Sequence, residues 1–246
     1  DLNAIIGLSN DVTTNLEAYK TSIAAASSGE LDTLTEIQAL IDLVNSEQAA
    51  IAAANTASTS AIAAVNSAAA SSDASSLLIT ELNAIIGLTD EVAANLEAYK
   101  TSIAAASSGE LDTLTEIQAL IDLVNSEQAA IAAANAASAS AIAAVNTAAA
   151  NSDASSLLIT DLNAIIGLSD EVAANLAAYQ AAIAAANTGE LDVLTDIQAL
   201  IDLVNSEQAA IAAANAASTS AIAAVNNAAA NSDASSLLIT ELNAII

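Results

Sequence analysis

The chain contains no histidine, cysteine, tryptophan, phenylalanine, methionine or proline, and its only aromatic side chains are Tyr19, Tyr99 and Tyr179. Without histidine, no side chain has an ordinary pKa near neutrality, so the commonest general acid–base group is missing. Without cysteine there is no thiol nucleophile, and with neither residue there is no ordinary zinc site. Glycine is scarce: six residues, at the ends of predicted helices and never gathered into a phosphate-binding loop. No Asp-x-Asp-x-Asp-Gly run is present to form an EF-hand, and no Asn-x-Ser/Thr sequon occurs. Neither catalysis nor a bound cofactor is expected.

Positive charge is almost absent too. Lys20 and Lys100 stand against 29 acidic residues, for a net charge of −27. Such a polyanion repels nucleic-acid phosphates and anionic lipid, which excludes both as expected partners. The charge suits solubility in a salty, calcium-containing exterior and discourages lateral clumping. Its carboxylates, among them Asp11, Glu17, Glu36, Asp42 and Glu47, are scattered singly. They are read as a solvated face with at most weak Ca²⁺ association. The hydrophobic fraction of 55% is mostly alanine. The longest uncharged run, Gln48–Ser72, carries Asn55, Thr56, Ser58, Thr59, Ser60 and Asn66. A spanning helix needs roughly 20 predominantly apolar residues without that polar load, so no membrane insertion is expected.

What the chain does have is repetition. Residues 1–80, 81–160 and 161–240 align without a gap, and 241–246 begin a fourth copy. The chain thus opens and closes inside a repeat and carries no signal peptide, as expected of a window on a longer protein. The first two copies differ at ten positions, including Ser9/Thr89, Asn10/Asp90 and Thr56/Ala136, and none of these is a large apolar residue. A fixed period marks an array of structural units, each burying its apolar face against its neighbours.

Within one copy the apolar spacing is helical throughout. Val12, Leu16, Tyr19, Ile23 and Ala26 predict a helix from about Asn10 to Ser27, with Ser9 as N-cap, acidic Asp11 in the first turn and Gly29 at C′. Tyr19 is read as the largest core residue, its hydroxyl at the rim. A second helix, Thr33 to Ala70, spans about 57 Å at 1.5 Å per residue. Asp32 is preferred as its cap because Thr33 becomes Val193 in the third copy. Leu34, Ile37, Ile41, Val44, Gln48, Ile51, Asn55, Ser58, Ile62, Val65 and Ala69 give it 3,4 spacing, as in a coiled-coil seam. A third piece, Ser75 to Ile86, ends at Gly87, with Thr80 as an internal cap. The predicted class is all-α: one long helix packed antiparallel to two shorter ones, the units stacked into an elongated rod or filament.

The half of the long helix beyond Gln48 carries no charge in any copy, although a wet helix face ordinarily does. Ile51-Ala-Ala-Ala-Asn55 and Ile62-Ala-Ala-Val-Asn66 recur eleven residues apart, nearly three whole turns, so their isoleucines share a face. Ile51, Asn55, Ala57, Ala61, Ile62, Ala64, Val65 and Asn66 form the candidate assembly surface, toward neighbouring repeats or other copies of the chain. An ice-binding or glycan-binding face is the alternative use of this region. A regular threonine array is what ice would want, and Thr56 and Thr59 become Ala136 and Ala139.

The strings Asp1-Leu-Asn-Ala-Ile-Ile-Gly-Leu8, Asn15-Leu-Glu-Ala-Tyr-Lys-Thr-Ser-Ile-Ala-Ala-Ala26 and Leu34-Thr-Glu-Ile-Gln-Ala-Leu-Ile-Asp-Leu-Val-Asn45 resemble helical repeats of very large secreted surface proteins and adhesins of Gram-negative bacteria. The resemblance covers every copy and carries no functional residues across. It implies a surface-exposed stalk, filament or spacer, located outside the cell. The absence of cysteine fits extended surface proteins that gain strength from length. An intracellular scaffold or a designed repeat protein is the remaining alternative.

Overall fold

A computed structural model describes residues 5–231, 234, 235 and 237–245. Residues 1–4, which open the first copy, and Ile246, which ends the fourth, lie outside them. The described chain is helical, with no strand among the described residues. The helices are α1 (Leu16–Ala25), α2 (Leu34–Ser71), α3 (Ile79–Leu82), α4 (Leu96–Ala105), α5 (Leu114–Ala150), α6 (Ile159–Asn163), α7 (Leu176–Ala185), α8 (Leu194–Asn231) and α9 (Ile239–Asn243). Two compact units divide the chain, Asp1–Gln128 and Ala129–Ile246.

The long helices fall where alanine-rich 3,4 spacing predicts them; the shorter elements differ from expectation for local reasons. Asn10 has φ +64°, so no right-handed helix runs through it, and Asn is among the few residues that tolerate this region. α1 therefore starts at Leu16, after a 3₁₀ turn over Thr13–Asn15. Ser9 is no N-cap. Its N–H donates to Gln38 Oε1, and its carbonyl accepts from Gln38 Nε2, both at 2.9 Å, tying the entry strand of coil to α2. Gly29, at φ +93°, lies in the Ser27–Glu30 turn and not at the end of α1, whose Ala26 is already extended.

Thr33, not Asp32, caps α2. Its hydroxyl accepts from Glu36 N–H at 3.3 Å while the Glu36 carboxylate accepts from Thr33 N–H at 2.8 Å, a reciprocal capping box. In the third copy α8 starts at Leu194 although Val193 has no hydroxyl to offer. The Ser75–Ile86 piece shrinks to the single turn of α3. Leu78 is extended (φ −112°, ψ 152°), which blocks an earlier start, and its N–H is held by the Glu81 carboxylate at 2.8 Å.

α2 ends in a Schellman arrangement. Asp73 N–H reaches Ala68 O at 3.0 Å, and Ser72 N–H reaches Ala69 O at 3.1 Å, with Ser72 left-handed at φ +53°. Ser152 repeats this after α5, at φ +49°. A left-handed non-glycine residue costs roughly 1–2 kcal/mol, part of which glycine returns through its looser unfolded state. Ser152→Gly is therefore expected to stabilise the chain by about 0.5–1 kcal/mol. Urea unfolding followed by circular dichroism checks this, and a loss of stability would contradict the capping geometry.

In the first unit the main core joins the second half of α2, the α3 linker, α4 and the first half of α5, through Val65, Leu82, Ile85, Tyr99, Ile103 and Ile121. A smaller cluster, Tyr19, Ile41 and Val44, holds α1 against the first half of α2. In the second unit Val145, Leu162, Ile165, Tyr179, Ile183 and Ile201 build the corresponding core. Each full core thus draws on two successive sequence copies: Val65 and Leu77 from one, Tyr99 and Ile121 from the next.

The long helix is not one seam. Ile41 and Val44 are buried in its first half, and Ser58, Ala61, Val65 and Ala68 in its second. At 100° per residue the second set lies roughly a quarter turn or more from the first, and the drift of about 20° per heptad on a straight α-helix supplies part of that rotation. The two halves face different partners.

Candidate interaction surface

The most specific chemistry in the molecule is a polar knot over each tyrosine. The Tyr19 ring is buried, and its hydroxyl donates to Asn45 Oδ1 while accepting from Val12 N–H at 2.8 Å. Asn45 Oδ1 also accepts from Asn15 Nδ2 at 2.8 Å, and Asn45 Nδ2 donates to the Asn10 carbonyl at 2.7 Å. The same bonds recur around Tyr99 with Asn125, and around Tyr179 with Asn205. The hydroxyl is thus held in a part-buried network rather than at the rim. Sequence reasoning passed over Asn45 because it stands one residue outside the apolar stripe. The signal was its pairing with Asn15, both unchanged in all three copies.

Ser58 is a second anchor. It is buried on α2 and its hydroxyl accepts from Ile86 N–H at 2.9 Å, as Ser138 does from Ile166 N–H. These bonds fasten the turn after α3 or α6 to the long helix behind it.

The candidate assembly residues divide into two groups. Ala61 and Val65 are buried in the core of the first unit, with Ile62 and Ala64 packed against it. There they meet α4, which belongs to the next sequence copy. Asn66 is half-buried, and its Oδ1, like that of Asn146, is buried with no hydrogen-bond partner. Ile51, Asn55 and Ala57 are exposed, Ile51 at 51%. They belong to residues 49–57, which are exposed on every side of the helix, as are 129–137 and 209–217.

Among the described residues no group of three or more acidic side chains is placed to hold a metal ion. Lys20 pairs with Glu17 at 2.6 Å and Lys100 with Glu97 at 2.9 Å, exposed contacts of the kind worth little. The third copy loses both partners together, as Ala177 and Gln180. The Thr33 hydroxyl and N–H hold the Glu36 carboxyl below its ordinary value, and the Ser75 N–H and hydroxyl do so for Asp73. These are capping effects, not poised acids. An open cleft of about 440 Å³ between α1 and α2 is lined by alanines, Leu40, Leu43, Val44, Ser22 and the single carboxylate of Glu47. It offers no second titratable group.

α5 and α8 are long and apolar enough, by length and composition alone, to cross a membrane, with windows of mean hydropathy 1.4 and 1.2. The first half of each carries core residues packed on a neighbouring short helix. No protein-family model matches the chain, and no curated protein or solved structure is significantly similar to it.

Proposed function

We propose that the chain is a structural repeat segment of an extracellular bacterial surface filament, stalk or giant adhesin. It supplies length and self-association rather than recognition or catalysis. The observation that carries this reading is that each full core is assembled from two successive copies. Adding a copy adds a core and extends the array, while a lone copy leaves apolar faces bare. On this reading the 80-residue units stack into an elongated rod. Its charge of −27 keeps neighbouring rods soluble and apart, with Ca²⁺ loosely associated at the acidic surface and no membrane insertion by α5 or α8.

Ice or glycan binding is less well supported. The exposed threonines of α2 spend their hydroxyls on their own helix: Thr56 donates to Ala52 O at 2.8 Å and Thr59 to Asn55 O at 2.9 Å. Neither threonine persists in the second copy. Immunogold labelling of intact producing cells with antibody against the repeat tests the proposal. Label on extended material outside the envelope is expected. Label confined to the cytosol would overturn the surface reading in favour of an intracellular scaffold.

A further inference from the structure

The open cleft between α1 and the first half of α2 has a lip that recurs in every copy, and its chemistry defines one kind of partner. Leu43 forms the lip at 58% exposure, and its counterparts Leu123 and Leu203 stand at 60% and 59%. Ala25, Ala39 and Glu47 are exposed and Leu40 is half-buried, as are the residues in the same places of the second and third copies. The second copy has a neighbour on either side in the sequence, so the bare lip does not arise from where the sequence starts or stops. Large apolar side chains left in water at a fixed place in each unit mark an interaction surface.

Along α2 the lip is part of a stripe. Glu36, Leu40, Leu43 and Glu47 are spaced 4, 3 and 4, so they share one helix face, with a carboxylate at each end of a leucine pair. The same spacing recurs at 116–127 and, with Asp196 in place of the first glutamate, at 196–207. The carboxylates at both ends are exposed in every copy. Cations are scarce beside them. Lys20 and Lys100 are each paired with a glutamate of their own helix, and the third copy has neither lysine. A second copy of this chain would bring its own carboxylates to the stripe, against the repulsion of two charges of −27. What the stripe complements is an apolar face edged by positive charge.

We propose that this stripe, once per copy, docks a cationic amphipathic helix. Apolar side chains of the partner enter the cleft beside Leu40 and Leu43, and its lysines or arginines meet the carboxylates of Glu36 and Glu47. The cleft, about 440 Å³, falls within the range of roughly 300–1,000 Å³ in which binding pockets lie. Apolar burial supplies the affinity, and the surrounding negative charge speeds the encounter. The inference goes beyond the spacer reading and adds to it a binding surface that multiplies with the number of copies.

Isothermal titration of the full chain tests it, with a synthetic peptide of leucine and lysine about five turns long and its leucines on one face. Three peptides are expected to bind per chain, one for each stripe, at concentrations below about 100 μM. A peptide of the same composition with its leucines scattered should bind at least about tenfold more weakly. The triple variant Leu43→Asn, Leu123→Asn and Leu203→Asn changes positions more than half exposed, so its circular dichroism spectrum should not move. It should bind the patterned peptide about tenfold more weakly. Glu47→Gln, with the same change at Glu127 and Glu207, should weaken binding a few-fold and flatten its dependence on salt. Equal binding of the two peptides, or undiminished binding by the asparagine variant, would overturn the proposal: the acidic surface would then only be collecting counterions. A sedimentation mass above 24.1 kDa that the asparagine changes abolish would also overturn it, because a second copy would then occupy the stripe.

Discussion

Replacing Leu82 by alanine is expected to cost the first unit about 2–5 kcal/mol, the range for deleting a fully buried leucine from a packed core. Leu242→Ala, in the identical sequence Ile-Thr-Glu-Leu-Asn-Ala-Ile, should cost less, about 1 kcal/mol, because Leu242 is 43% exposed where Leu82 is fully buried. Identical neighbours along the chain remove intrinsic helix propensity from the comparison, leaving burial as the main difference. Hydrogen exchange resolved by segment measures each change locally, which matters in a chain of two units where one global midpoint averages them. Equal protection losses at the two sites would mean that Leu82 is not held by the following copy. The core would then not be shared between copies.

The long helices and the all-α class were legible because they depend on a signal that accumulates: alanine propensity and 3,4 spacing summed over nearly forty residues. The shorter elements depend on single backbone choices. Asn10 and Ser72 adopt positive φ, and neither type announces this as glycine would. Thr33 caps α2 although its third-copy counterpart cannot, so comparing copies pointed to Asp32. The burial pattern of the uncharged half of the long helix was half legible. Absence of charge marked Gln48–Ser72 as unusual, yet it could not separate Ala61 and Val65, which turn into the core, from Ile51 and Asn55, which do not. Rotation about the helix decides that, and it depends on where α4 packs. The polar knot was missed for a related reason: Asn45 joins it to residues 26 to 35 positions away through a loop whose path no periodicity encodes.

That knot supplies the second large effect. Asn125 Oδ1 accepts from the Tyr99 hydroxyl and from Asn95 Nδ2, and its Nδ2 donates to the Asp90 carbonyl at 2.8 Å. Asn125→Ala removes all three bonds and leaves the Tyr99 hydroxyl and Asn95 amide in a part-buried place where water reaches them poorly, the Asp90 carbonyl being exposed. The expected cost is about 2–4 kcal/mol, since orphaned polar groups lose more than the bond itself is worth. Tyr99→Phe keeps the buried ring but strips the acceptor from Val92 N–H, at 3.0 Å in the intact chain, and should cost about 1–2 kcal/mol. With the phenol gone, Asn125 has one fewer partner to abandon. The double variant should therefore be less destabilised than the sum by about 1 kcal/mol. Urea unfolding of the four proteins closes this cycle. Strict additivity would show that Tyr99 and Asn125 act separately, and that the loop before α4 is held by its backbone turn alone.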